Sequence, residues 1–210
     1  MTPGAVLITG ASTGIGRASA LLLHSRGFTV YAGVRKSQDG EALLAAASDR
    51  LVPLIIDVTD GDCIAAAAQR IAASGTGLDG LVNNAGIAAA APLEFVPLAD
   101  FRHQLEVNAV GHLAVTQAML PLLRASRGRI VNVTSVAGLF AGPMLGPYHA
   151  SKWALEAMTD TLRMELAPWG IRVAAVEPGQ IATPIWATSV GRADAMAAAM
   201  PPEALTLYAA

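Results

Sequence analysis

The chain has one cysteine, Cys63, in 210 residues. A single thiol can form neither an intramolecular disulfide nor a multi-cysteine metal site, and Cys63 reads as a buried, inert thiol. An excess of one charge is also missing. The 14 Lys and Arg stand against 16 Asp and Glu, a formal net charge of −2, so no basic field draws nucleic acid. Long hydrophobic runs are absent too. Hydrophobic residues make up 53% of the chain, much of it alanine. Yet no stretch reaches the ~18–20 uninterrupted apolar residues of a membrane-spanning helix. The opening MTPGAVLITGAS carries neither a basic n-region nor a cleavage site, which predicts a cytoplasmic protein without a membrane partner. The histidines, His24, His103, His112 and His149, lack metal-ligand spacing, so no metal is expected. His24 reads as a helix-surface residue and His149 as structural.

What is present is an alternation. Apolar runs of strand length at 5–9, 29–33, 51–56, 78–83, 129–135 and 171–178 are rich in Val, Ile and Leu and apolar on both faces, as in a parallel sheet covered by helices. Helix-length segments at 14–26, 39–48, 60–74, 97–124 and 148–168 separate them. The pattern predicts an α/β fold, a doubly wound parallel sheet in a single domain over 1–210. The Pro- and Gly-bearing stretches 138–147 and 178–184 follow strands, on the carboxyl side where such sheets bind ligands. From 185 onward the pattern weakens, no strand follows, and about 184–210 reads as a substrate loop.

TGASTGIG, residues 9–16, follows the first strand and opens the first helix. Gly10 permits a tight turn, Gly14 lets a pyrophosphate approach the backbone, and Gly16 allows close helix–strand packing. The helix N-terminus supplies N–H donors to phosphates. The spacing is GxxxGxG rather than GxGxxG, and no Gly-Lys-Ser/Thr ending marks a P-loop. Tyr148 and Lys152 stand four positions apart on a predicted helix, which puts them on one face about a turn apart.

With NNAG at 83–86, Asn108, Ser135, Tyr148-x-x-x-Lys152 and the Pro178–Gly179 pair, the glycine turn resembles the short-chain dehydrogenase/reductase family over about residues 4–184. That resemblance implies a Rossmann-like fold, a nicotinamide cofactor, and hydride transfer to or from the alcohol/ketone carbon of a small molecule, in a homodimer or homotetramer. It implies cofactor contacts from Gly10, Ser12, Thr13, Gly14, Ile15 and Gly16, from Asp57 and Val58 at the adenine, and from Asn84, Ala85 and Gly86 beside the ribose. Ile181 and Thr183, after Pro178 and Gly179, resemble the groups that hold the carboxamide. Val34 stands where the family's ribose-binding acid falls, and Arg35 can fork onto a 2′-phosphate with Lys36 adding charge. NADP(H) is therefore expected over NAD(H), although Thr13 is not the basic residue many NADP-preferring relatives carry. Asn83 reads as structural and Asp60 as a helix N-cap.

A tyrosine is a poor acid or base near neutrality, because its ordinary pKa is about 10, and a nearby cation lowers it. Tyr148 is thus expected to exchange the proton, with Lys152 depressing its pKa and, by the resemblance, holding the nicotinamide ribose. Ser135 is placed to donate to the substrate oxygen, with Thr134 its local rival. Asn108 is expected to brace a local helix break and hold a relay water. Phe140, Met144, Leu145, Trp186 and Met196 are candidates for an apolar substrate wall. Family members continue through another helix and a seventh strand, so the end at LTLYAA reads either as a C-terminal truncation or as a variant with a reduced C-terminus. A non-catalytic dinucleotide sensor and, more weakly, a carbon–carbon isomerase or dehydratase are the competing readings.

Overall fold

The computed structural model describes residues 4–47 and 49–208. Ser48, the predicted end of the second helix, and the outer residues of the predicted domain, 1–3 and 209–210, lie outside them. The strands are β1 (Ala5–Ile8), β2 (Thr29–Val34), β3 (Leu51–Ile55), β4 (Gly80–Asn83), β5 (Arg129–Val133) and β6 (Arg172–Val176). The helices are α1 (Gly14–Ser25), α2 (Ser37–Leu44), α3 (Gly61–Ala73), α4 (Leu98–Leu105), α5 (Gly111–Ser126), α6 (Gly146–Leu166), α7 (Pro184–Ala199) and α8 (Pro202–Leu207). The strands pair in parallel in the order β3-β2-β1-β4-β5-β6, a Rossmann-like doubly wound sheet. After β3 the chain returns to lay β4 on the other side of β1. The loops leaving β1 and β4 therefore diverge, and a crevice opens between them.

Side chains along β1 alternate between two cores. Leu7 joins Leu81, Ile130, Ile64 and Met119 on one face, while Val6 and Ile8 join Val30, Val34, Ala20 and Leu43 on the other. This two-sided burial explains why the strands lack polar alternation. Pro53 is tolerated within β3 because β3 is an edge strand.

The segment predicted as one helix over 97–124 is broken. A π-helical turn, Glu106–Val110, separates α4 from α5, and a widened turn of this kind is common at functional sites. Polar groups tie α5 and α6 to the sheet behind it. Asn83 donates to Thr116 Oγ1 and to Asn132 Oδ1, both at 2.9 Å, and Asn132 donates to Thr159 Oγ1 at 2.8 Å. All four side chains are buried. Among the described residues no helix is long and apolar enough to cross a membrane. No group of three or more His, Cys, Asp and Glu there could hold a metal.

Two expectations need correction. Cys63 is only half-buried. Its thiol lies in the first turn of α3 and donates to Asp60 Oδ2 at 3.3 Å. That bond raises the thiol pKa, so a carboxylate rather than burial holds it as the unreactive thiol. Asp60 caps α3, accepting from the N–H groups of Asp62 and Cys63. His24 on α1 is half-buried rather than on the surface.

Candidate active site

The crevice is a cavity of ≈ 300 Å³. It takes in every residue assigned to cofactor or chemistry except Gly16, Lys36 and Asn108. Gly10 has φ +64°, and a Cβ there would lie 2.8 Å from Ala85 Cα, so conformation and space both demand glycine. At Gly16 a Cβ would lie 2.3 Å from the Gly10 carbonyl oxygen. Thr13 precedes α1 without a side-chain cap, and no acid stands in the first turn. The first-turn N–H groups are thus left for an anion. The turn is pinned by Thr9, which the sequence reading passed over, and by the side chain of Asn84. Thr9 Oγ1 accepts from the N–H groups of Asn84 at 2.9 Å and Ala85 at 3.1 Å. The Asn84 amide donates to the Thr9 and Gly10 carbonyls. A hydroxyl closing an otherwise apolar strand just before the glycines was the available signal.

At the β2–β3 end, Arg35 is exposed on the cavity edge, whereas Val34 is 1% exposed and belongs to the core. Asp57 Oδ1 accepts from the Thr59 N–H and hydroxyl. Those bonds, with help from the charge of Arg35, hold its pKa below the ordinary carboxylate value.

On the opposite side α6 delivers Tyr148 and Lys152, both buried. Lys152 Nζ donates to the Val133 carbonyl at 2.9 Å and lies 5.7 Å from the Tyr148 ring centroid. Burial pulls the Lys152 pKa down to about 8, against a raising influence from Glu156. Tyr148 departs from expectation: its pKa is raised, because burial outweighs the lowering hydrogen bond with Ser135. Ser135 Oγ also accepts from the Ala137 N–H at 3.1 Å. Thr134 does not compete for this place, since its hydroxyl donates to the Val176 carbonyl at 3.0 Å.

Asn108 sits in the π-helical turn. Its Oδ1 accepts from the Ile87 N–H, and its Nδ2 donates to the Ile87 carbonyl and to Ser151 Oγ. Ser151 donates onward to the Tyr148 carbonyl at 2.8 Å. Both amide hydrogens are thereby committed to protein partners, and through Ser151 this side chain braces α6. One turn later His112 is 1% exposed, and its Nε2–H donates to the Ala85 carbonyl at 2.6 Å. Burial first, then the charge of Lys152, pulls its pKa down to about 3. Its spacing of four from Asn108 put it on the same helix face and was the readable signal.

Of the proposed apolar wall only Trp186 lines the cavity. Leu145 instead packs with Ile185 on the Tyr148 cluster, Phe140 lies against the His149 ring, and Met144 is exposed with φ +67°. Met196 is half-buried away from the cavity. His149 Nε2 accepts from the Gly142 N–H at 3.1 Å, so its proton is on Nδ1, which donates to the Ala137 carbonyl at 2.9 Å. His103 and Arg192, given no role from sequence, also border the cavity.

The family model for short chain dehydrogenase matches residues 4–193. Retinol dehydrogenase 5 of Mus musculus is 43% identical over 183 residues, covering 86% of this chain and 57% of its own length. An NADPH-dependent 3-dehydrocapnine reductase of Ornithobacterium rhinotracheale is 38% identical over 187 residues, covering 86% of this chain and 66% of its own length. The chain thus spans between half and two thirds of these relatives. The structure of an NAD+-bound xylitol dehydrogenase superposes with a TM-score of 0.79 at 32% identity, covering 84% of this chain and 70% of the other. With its parallel sheet, its glycine turn and these matches, the chain belongs to the short chain dehydrogenase family.

Proposed function

We propose that the protein is an NADP(H)-preferring oxidoreductase acting on the alcohol or carbonyl carbon of a small molecule, with Tyr148 as acid/base. The observation that carries this reading is a buried Tyr148 beside Ser135, with Lys152 on the same helix face, all opening on the cavity that the glycine turn borders. The residues fit a dinucleotide: α1 offers uncapped first-turn N–H groups, and a Cβ at Gly10 or Gly16 would clash within the turn. When bound, the nicotinamide supplies or accepts the hydride.

The chain's own residues do the rest. Ser135 orients the substrate oxygen toward Tyr148 Oη. The raised pKa keeps Tyr148 protonated at neutral pH, the form that donates during carbonyl reduction. Lys152 keeps positive charge next to the phenol below its pKa of about 8, favouring the phenolate that this donation leaves. Asn108 and Ser151 fix the start of α6, and so the direction of the phenol. Arg35 at the cavity edge supports the preference for a 2′-phosphate, as does the NADPH dependence named for one relative.

Fluorescence titration with NADPH and NADH, followed by NADPH consumption over a panel of ketones and aldehydes, tests the proposal. Tyr148→Phe should bind NADPH as the wild type does and lose at least about 100-fold in turnover. Equal turnover by Tyr148→Phe would remove Tyr148 from the chemistry, and cofactor binding without turnover on any substrate would favour a sensor. Arg35→Ala should weaken NADPH but not NADH; equal effects on both would sink the preference. Arg35 is the better probe than Val34→Asp, which would bury a carboxylate in the core.

A further inference from the structure

Among the described residues, one cation of the cavity lining has no partner. Charged residues on its lining are Arg35, Asp57, Lys152 and Arg192. Arg35 lies within electrostatic reach of Asp57, and Lys152 is held by the Val133 carbonyl. Arg192 is half-buried, and among the described residues its guanidinium makes neither hydrogen bond nor ion pair. A guanidinium drawn partly out of water without an acceptor is costly, and its planar fork suits carboxylate and phosphate oxygens.

Its place on α7 says what it can reach. Ile185, Thr188 and Arg192 border the cavity at helical spacing, so one face of α7 looks inward. Ile185 packs against Tyr148, Ala88 and Ala137. Arg192 follows two turns later, about 10 Å along the axis. Before α7, Thr183 Cβ would lie 3.3 Å from a Cβ on Gly14, so the helix starts beside the glycine turn. The face that begins beside the glycine turn and Tyr148 thus ends in Arg192 on the same cavity.

We infer that Arg192 is an anion-binding residue of the cavity, engaging phosphate oxygens of the dinucleotide or a carboxylate on the substrate. The inference rests on the dinucleotide and substrate sites proposed above. Arg192→Gln removes the charge and keeps most of the length. One arm measures NADPH affinity by fluorescence at low and high salt. The other measures, by calorimetry on the NADPH-bound protein, affinity for 4-oxopentanoate and for its methyl ester.

A loss of about fivefold or more in NADPH affinity, with a shallower salt dependence, assigns Arg192 to the phosphates. A comparable loss for 4-oxopentanoate, with the ester unaffected, assigns it to a substrate carboxylate. Smaller changes in both arms overturn the inference, and so does a loss that leaves the salt dependence and the acid–ester difference unchanged. If the wild type binds neither NADPH nor NADH, the dinucleotide reading itself fails. The acid–ester comparison on the free protein then decides the role of Arg192.

Discussion

His112 should make the protein sensitive to acid in a way that one substitution removes. The ring is 1% exposed, its Nε2–H is given to the Ala85 carbonyl, and its pKa is held at about 3. In the unfolded chain the value returns to about 6.5. The folded state thus requires the neutral ring. The stability tied to that requirement is intact above pH 6.5 and drains away as pH falls toward 3. Between pH 7 and pH 5 the loss amounts to about 2 kcal/mol from this residue alone. His112→Gln keeps an amide donor for Ala85 and cannot titrate. Urea unfolding of both proteins at pH 7 and pH 5 gives two stability differences, and subtraction cancels every other titrating group. Wild type should lose about 2 kcal/mol more than His112→Gln over that interval. Equal losses would refute the reasoning, because they would mean that the ring is protonated in the folded protein as readily as in the unfolded one.

Burial lowers the pKa of Lys152 as it does that of His112, but at pH 7 Lys152 stays charged. Its pKa of about 8 lies below the ordinary 10.5, so the folded state bears an ammonium it disfavours at pH 7, and that burden is relieved as pH rises from 8 to 10.5. Lys152→Met should therefore lose turnover yet gain stability at pH 7, by at most about 3 kcal/mol, in thermal or urea melts; a less stable variant would contradict this. Gly10→Ala forces a Cβ to within 2.8 Å of Ala85 Cα at φ +64°. It should abolish NADPH binding in fluorescence titration and lower the melting temperature. Asn132→Ala leaves one Asn83 N–H without its acceptor and the Thr159 hydroxyl without its donor in the core, while Thr116 and Leu155 keep the other bonds of these groups, and should cost about 1–3 kcal/mol in urea unfolding.

Much of the fold was legible because its signals are local. Both-face apolar strands, glycines at 10, 14 and 16, and the spacing from Tyr148 to Lys152 each follow from neighbours in the chain. What escaped depends on partners far along it. Thr9 and Asn84 are 75 positions apart and pin the glycine turn together. The π-helical turn at Glu106–Val110 leaves no mark in hydrophobic periodicity, so its form escaped, although a local helix break was expected at Asn108 within it. The direction of the Tyr148 shift could not be read either. It weighs burial against Ser135, and burial is a property of the whole packed site. The apolar wall held only at Trp186 for a similar reason: Phe140 and Met144 are hydrophobic, yet both are exposed and neither lines the cavity.

The imidazole of His149 is a strut with both ends used, one on Gly142 and one on Ala137. Ala137 is also the residue whose N–H Ser135 Oγ accepts. The loop beyond Ser135 and the Ser135 hydroxyl are therefore set by one joint. Reshaping the loop around Gly142 to admit a different molecule would also shift the ground beneath Ser135. A loop transplanted from a relative without its own residue at position 149 would arrive with half a hinge.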